Sequence, residues 1–217
     1  ANYGAKVALC EKDRMGGTCV IRGCIPKKLM YYSSQFTNDL NRASHYGWQL
    51  KLEGKKFHKL ISNKNRELKR LEGIYTKNSL NAGVDIFYGK ATFENKNKIK
   101  INKNFIHAKN IIIAVGGKPK VLNVPGGELC INSDQIMQLK TIPKKLSIIG
   151  AGYIALEFAF IFSLLGSKVN LFCRNKILKG FDKDLVKYVE KSLSSFGVKI
   201  FYKEEVTKIE TLNKRKR

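Results

Sequence analysis

The chain has 217 residues, 41 Lys+Arg against 17 Asp+Glu, a formal net charge of +24, and 43% hydrophobic residues. That length gives one domain or two small ones with ample apolar content for a packed core, which excludes a wholly disordered chain. A membrane span is excluded too, because the longest apolar stretch, 158–165, contains Ser163 and is far short of the ~20 residues a bilayer requires.

Ala1 rather than Met stands first, and the opening ANYG reads as the tail of a helix running into an apolar strand, AKVALCE at 5–11, that ends on Glu11. A helix is predicted from Thr18 to about Asn41, interrupted near its start by Gly23 and Pro26. A second, over about 56–81, places Phe57, Leu60, Ile61, Leu68, Leu71, Ile74 and Tyr75 at helical spacing. Short strands follow at 84–88, 91–93, 98–101 and 105–107, then the β-branched run 110–115. Gly116-Gly117, Pro119 and VPGG at 124–127 mark a loop-rich boundary. Beyond it the pattern restarts as strand 146–149, a Gly-rich turn, helix 153–165, strand 168–173, helix 182–196 and strand 198–202. Strands alternating with helices argue for a parallel, doubly wound sheet in this half. The basic end LNKRKR closes no element.

Lys supplies 33 of the 41 positive charges, and Lys, Asn and Ile together make 71 residues. All three come from A/T-rich codons, so base composition accounts for much of the charge. Residues 1–50 carry +4, 51–110 carry +10, 111–150 carry +3 and 151–217 carry +7. A nucleic-acid reader more often concentrates basic residues on one element with aromatics between them. Neither a nucleic-acid nor a membrane partner is expected. Five cysteines, Cys10, Cys19, Cys24, Cys130 and Cys173, are an odd set that suits a secreted disulfide framework poorly. The expected compartment is the reducing cytoplasm, where a close pair is more often catalytic than structural. His45, His58 and His107 read as structural or exposed, and no metal site is expected.

The segment GGTCVIRGCIPKK at 16–28 is the most informative. On an ideal helix the spacing of Cys19 and Cys24 rises ~7.5 Å and turns ~140°, too far for a disulfide with Cα atoms ~5.5 Å apart. Bridging them needs a distorted first turn, which Gly23 and Pro26 permit. A bridge held there, at a helix N-terminus that favours thiolate, is suited to repeated reduction and closure. From spacing alone, two unrelated buried thiols remain an equal reading.

The flanks of this pair resemble the pyridine nucleotide-disulfide oxidoreductase family, FAD enzymes that include glutathione reductase and dihydrolipoamide dehydrogenase. The resemblance extends over essentially the whole chain, from the strand ending in Glu11 through GYIALE at 152–157. It implies an α/β fold of two Rossmann-like doubly wound nucleotide-binding modules, both incomplete: an FAD-binding part over 1–117 and an NADP-binding part over 118–217. It implies Cys24 as the thiol facing the flavin and Cys19 as the one that attacks a substrate disulfide.

An acid at a strand end can hold adenine-ribose hydroxyls, and the resemblance gives Glu11 that role for FAD, although alone such a residue is more often a solvated charge. Thr18 and the amides of Gly17 and Cys19 are implied at the FAD pyrophosphate, on a helix N-terminus. Lys27, one turn after Cys24, is implied beside the flavin, where a cation stabilises negative charge. Ala91 and Ala114 belong to the pocket wall by resemblance only. GAGYIA at 150–155, between a strand and a helix, is a dinucleotide fingerprint whose Gly150, Ala151, Gly152 and Ile154 are candidate contacts. The next strand ends at Cys173 followed by Arg174, Lys176 and Lys179. With cations there and no carboxylate to repel a 2′-phosphate, NADPH is favoured over NADH. Where the glutathione reductase branch shows two arginines, this chain has Arg174 and then Lys179, with one residue fewer between them. Glu157 is implied to pair with Lys27 across the flavin–nicotinamide contact; an exposed helix acid is the alternative.

Lys28, where lipoamide enzymes usually show Ser, the NADPH preference and Tyr75, matching a glutathione-contacting tyrosine, point to glutathione disulfide as substrate. The family core is shared by thioredoxin-, mercury- and trypanothione-type reductases. A dihydrolipoamide dehydrogenase-like enzyme, and a non-catalytic remnant that at most binds NADPH, are the alternatives. The resemblance further implies a Gly-rich FAD fingerprint before this segment. After it come the rest of the NADP module and a dimerisation domain, whose His–Glu pair acts on the other subunit of a homodimer.

Overall fold

The computed structural model describes residues 1–51, 53–212 and 215–216. The chain divides into two compact units, one of Ala1–Lys27 with Asn63–Lys118, the other of Lys28–Ser62 with Pro119–Arg217.

In the first unit residues 1–4 form a turn rather than a helix tail, closed by the Gly4 N–H on the Ala1 carbonyl at 2.9 Å. Gly4 has φ +82°, a left-handed conformation that ends regular structure at no steric cost. Strand β1 (Val7–Glu11) pairs in parallel with β2 (Val84–Tyr88), Val7 opposite Val84 and Glu11 opposite Tyr88. Between them come α1 (Gly17–Arg22), α2 (Cys24–Ala43) and α3 (Phe57–Asn81). Both α2 and α3 contribute residues to each unit. Strands β3 (Ala91–Asn95), β4 (Lys98–Ile101) and β5 (Asn104–His107) form an antiparallel meander.

The run 110–115, expected as a strand, joins no sheet, and Ile112 and Val115 are exposed. β-Branched residues favour extended backbone, but a strand exists only through pairing, and no described strand pairs with this run.

The second unit holds the short α4 (Ser133–Ile136), followed by β6 (Lys145–Ile149), α5 (Tyr153–Leu165), β7 (Lys168–Cys173), α6 (Lys183–Ser195) and β8 (Lys199–Tyr202). The three strands are parallel in the order β6-β7-β8, the Rossmann-like succession expected of an α/β fold. Helix α5 is apolar on most sides and buries Leu156, Phe158, Ala159, Ile161, Phe162, Leu164 and Leu165, as a core helix must. It stops at Gly166, φ +105°, whose N–H caps the Phe162 and Ser163 carbonyls. Helix α6 starts at Asp182, whose carboxylate accepts from the Asp184 and Leu185 N–H groups. Near the end, β9 (Thr211–Leu212) pairs antiparallel with β10 (Arg215–Lys216), so part of the basic end does enter a strand pair, while 213, 214 and 217 lie outside the described residues.

One buried cation stands out in the first unit. Lys64 on α3 is 1% exposed, and burial, aided by the Arg14 charge, draws its pKa down from 10.5 to about 8. The unfolded chain keeps that proton to higher pH, so between about pH 8 and 10.5 this residue makes stability rise with pH. The Lys64→Met variant lacks that gain. Its stability relative to the parent should fall by roughly 1–3 kcal/mol from about pH 7 to pH 10. Parallel melting series over that range check it; a constant difference refutes it.

Candidate active site

Strand β1 delivers Glu11 to a tight loop. The Asp13 N–H donates to Glu11 Oε1 at 2.8 Å. Arg14 donates through Nε and Nη2 to Glu72 Oε2 at 3.0 and 2.7 Å, fastening the loop to α3, and Arg22 donates to Asp13. Gly16 has φ +118°, and a Cβ there would lie 2.9 Å from the Val20 Cβ. Gly17 follows at φ +65°, with nothing within 4 Å of where a Cβ would stand. Only glycine suits this pair of positions.

Helix α1 ends after one and a half turns because of Gly23. Its backbone, φ −138° and ψ −111°, is not helical, and a Cβ there would sit 2.8 Å from the Thr18 carbonyl oxygen and 3.3 Å from Cys19 Cα. Helix α2 restarts at Cys24, with Pro26 in its first turn, where a missing N–H costs nothing. The Lys27 N–H closes that turn on the Gly23 carbonyl at 3.1 Å.

This break brings the two thiols together. Both cysteines are exposed. Cys24 is the neighbour that dominates the surroundings of the Cys19 thiol, through both its sulfur and its backbone N–H. The helix start was expected to favour thiolate, but at Cys19 the pKa shifts upward. The hydrogen bond with Cys24 holds the proton on Cys19, burial and the charge of Cys24 add to this, and the Cys24 N–H opposes it. Cys19 is the third residue of α1, and its dominant neighbour is another sulfur.

The other candidates of the first unit are placed as follows. The Thr18 hydroxyl is 4.0 Å from where a Cβ would stand on Gly116, itself at φ +72°. That approach was not anticipated at a glycine pair read as a boundary. Ala91 on β3, Ala114 in the unpaired run and Tyr75 on α3 are exposed. Lys27 is half-buried. A strand-end carboxylate, Gly17 opening onto free space and a threonine hydroxyl facing another glycine fit the adenosine and diphosphate of a flavin nucleotide.

The second unit builds its fingerprint at the end of β6. Gly150, φ +141°, donates its N–H to the Phe172 carbonyl at 3.0 Å. The Ala151 carbonyl accepts from Leu178 N–H at 2.8 Å, and the Cys173 thiol donates to the Gly150 carbonyl at 3.6 Å. Cys173 is buried, which raises its pKa and keeps it a protonated donor. Gly152 caps α5, and a Cβ on it would meet nothing within 4 Å, leaving room for a diphosphate at the helix start. Ile154 is exposed, while Glu157, three residues further along α5, is half-buried. Arg174, Lys176 and Lys179 are exposed on a loop anchored by buried Ile177. These residues suit a dinucleotide.

The expectation that no carboxylate lies near Arg174 is corrected. Glu205 Oε1 stands 3.7 Å from Arg174 Nη1. Parallel pairing of β7 with β8 ends at Cys173 opposite Tyr202, and the Glu204 N–H then donates to the Cys173 carbonyl at 3.2 Å. Lys203 turns the chain at φ +58°. Aligning the ends of neighbouring parallel strands in the sequence is the signal that finds this acid.

His45, His58 and His107 are exposed. Among the described residues no group of three His, Cys, Asp or Glu could hold a metal, and no helix is long and apolar enough to cross a membrane.

Residues 1–216 match the family model described as pyridine nucleotide-disulphide oxidoreductase. The chain is 43% identical over 211 residues to glutathione reductase of Nostoc sp., covering 97% of this chain and 46% of that protein. It is 42% identical over 195 residues to the chloroplastic/mitochondrial glutathione reductase of Pisum sativum, covering 84% of this chain and 35% of the other. Among solved structures it is similar to the HOCl-induced flavoprotein disulfide reductase RclA from Escherichia coli. That match has a TM-score of 0.85 at 27% identity, over 99% of this chain and 47% of that one. The chain therefore spans less than half the length of these proteins.

The close approach at Gly23 makes a sharp prediction. In Gly23→Ala the added carbon meets backbone that cannot swing away, at a cost of roughly 1–3 kcal/mol. The melting temperature should fall by roughly 2–10 °C. Oxidation of the pair in a glutathione redox buffer should become less favourable. An unchanged melt with unchanged oxidation contradicts the account.

Proposed function

The chain belongs to the pyridine nucleotide-disulphide oxidoreductase family, and from that premise we propose that it carries the dithiol and nucleotide-binding parts of an NADPH-dependent glutathione-disulfide reductase. The observation that carries this reading is the non-helical Gly23 joint between α1 and α2, which makes Cys19 and Cys24 neighbours that act on one another's charge.

The thiolate of Cys19 attacks one sulfur of glutathione disulfide, forming a mixed disulfide and expelling one glutathione thiolate, which takes up a proton. The thiolate of Cys24 then attacks the Cys19 sulfur, closing the Cys19–Cys24 bond and releasing the second glutathione. Two electrons pass from the dithiol to the substrate. FAD, when bound, supplies the two-electron relay from NADPH back to the closed disulfide.

In this reading Glu11 holds the FAD ribose, and Gly17, Thr18 and the Cys19 amide face its diphosphate. Ala91 and Ala114 wall the pocket, and Lys27 supplies positive charge near the flavin. Gly150, Ala151, Gly152 and Ile154 receive NADPH, Glu157 serves its nicotinamide side, and Arg174 with Lys179 takes the 2′-phosphate. Tyr75 contacts glutathione. The net charge of +24 draws in a substrate and cofactors that are all anionic. A second copy of the complete chain is the proposed partner, and the cytoplasm the proposed compartment, since an odd set of five cysteines suits a secreted disulfide framework poorly.

Trapping tests the order of attack. In Cys24→Ser, incubation with glutathione disulfide should accumulate a mixed disulfide at Cys19, located by peptide mass spectrometry. Cys19→Ser should accumulate at least tenfold less, in roughly the ratio expected when the attacking thiol is lost. In the parent, where the raised Cys19 pKa is in force, the attack should keep accelerating as pH climbs beyond 9, because the thiolate is the nucleophile. Equal trapping at both positions, or none, removes the proposal.

A further inference from the structure

We propose that Glu205 is a specificity-determining residue that weakens selection for the 2′-phosphate by occupying Arg174; this rests on the NADPH reading above. The contact is Glu205 Oε1 to Arg174 Nη1 at 3.7 Å, and both side chains are exposed, at 71% and 78%. They are 31 positions apart in sequence, yet parallel neighbours bring them to one sheet edge, with β7 and β8 in register to Cys173 and Tyr202. The position is held by backbone. The Glu204 N–H is bonded to the Cys173 carbonyl, and Lys203 adopts φ +58°, uncommon for a residue with a side chain. The acid is therefore delivered to the strand end at which the ribose of a dinucleotide is read.

A 2′-phosphate carries about −1.5 to −2 charges near neutral pH. To reach Arg174 it must displace the Glu205 carboxylate and then tolerate that negative charge nearby. A ligand with a free 2′-hydroxyl meets no such opposition. Lys179 and Lys176, exposed on the same loop, keep the net local charge positive, so Glu205 moderates phosphate binding without abolishing it. Exposed ion pairs of this kind shift equilibria by about 1.5- to fivefold.

The test uses the full 217-residue chain and two probes that need no flavin, adenosine 2′,5′-bisphosphate and 5′-AMP, titrated calorimetrically. Glu205→Gln should bind the bisphosphate about 1.5- to fivefold tighter with 5′-AMP unchanged. In an Arg174→Ala background the same substitution should give a clearly smaller gain, because the displaced partner is gone. Both side chains are exposed, so the melting temperature serves as a control that the variants fold. A parent that prefers the bisphosphate, with a Gln variant that leaves the preference unchanged or lowers it, overturns the role of Glu205 while keeping the NADPH reading. A parent with no preference for the bisphosphate overturns both.

Discussion

A missing side chain at Gly23 makes the dithiol possible. Two cysteines five positions apart on one continuous helix diverge by more than a disulfide can span. Here the helix stops and restarts, and the stop depends on a residue that tolerates the Thr18 carbonyl at a distance no Cβ accepts. The break does not loosen the segment. Its N-terminal side is fastened by Arg14 to Glu72 and Arg22 to Asp13, and its C-terminal side by the Lys27 N–H on the Gly23 carbonyl. A loop tied down on both sides, with one non-helical joint, makes Cys19 and Cys24 electrostatic neighbours. The Cys19 proton is then set by sulfur–sulfur hydrogen bonding more than by the end of a short helix.

The sequence reveals most where chemistry and period agree locally. The run from Tyr153 to Leu165 reads as a buried helix and is one, because thirteen residues of mostly apolar character bounded by two glycines permit little else. The strand at Val84–Tyr88 and the long helix ending at Asn81 are legible for the same reason. What stays hidden depends on partners distant in sequence. The isoleucines at 111–113 have every local reason to be a strand, but no described strand hydrogen-bonds to them. Glu205 sits in a loop of ordinary composition, and its importance comes from a register shared with β7. The influence of Cys24 on the Cys19 proton is hidden for the same reason: a helix end is visible in a sequence and the approach of two thiols across a helix break is not.

The second nucleotide site obeys a related constraint. Its cations are exposed, so they do not hold their own positions; apolar and backbone anchors do. Ile177 is buried, the Leu178 N–H reaches the Ala151 carbonyl, and the Cys173 thiol reaches the Gly150 carbonyl. These three ties join the glycine turn to the loop that carries Arg174, Lys176 and Lys179. The cysteine that stands where an acid would otherwise read a ribose is thus occupied inside the protein, as a donor that burial keeps protonated.

A chain with a charge of +24 attracts every anion, which is a poor basis for choosing one. Screening limits the reach of exposed charges to ~8–10 Å at physiological salt, so lysines spread over the surface raise encounter rates without ranking ligands. Discrimination must come from groups that stand within a few ångströms of the ligand. In so basic a background, the scarce acids carry unusual weight. Glu72 and Asp13 steady the dithiol loop, Asp182 starts a helix, and Glu205 faces the one arginine at the end of β7. Each acts at short range on a defined partner. Removing a surface lysine changes a diffuse field by a small fraction, whereas neutralising one of these acids changes the geometry or the competition at a single site.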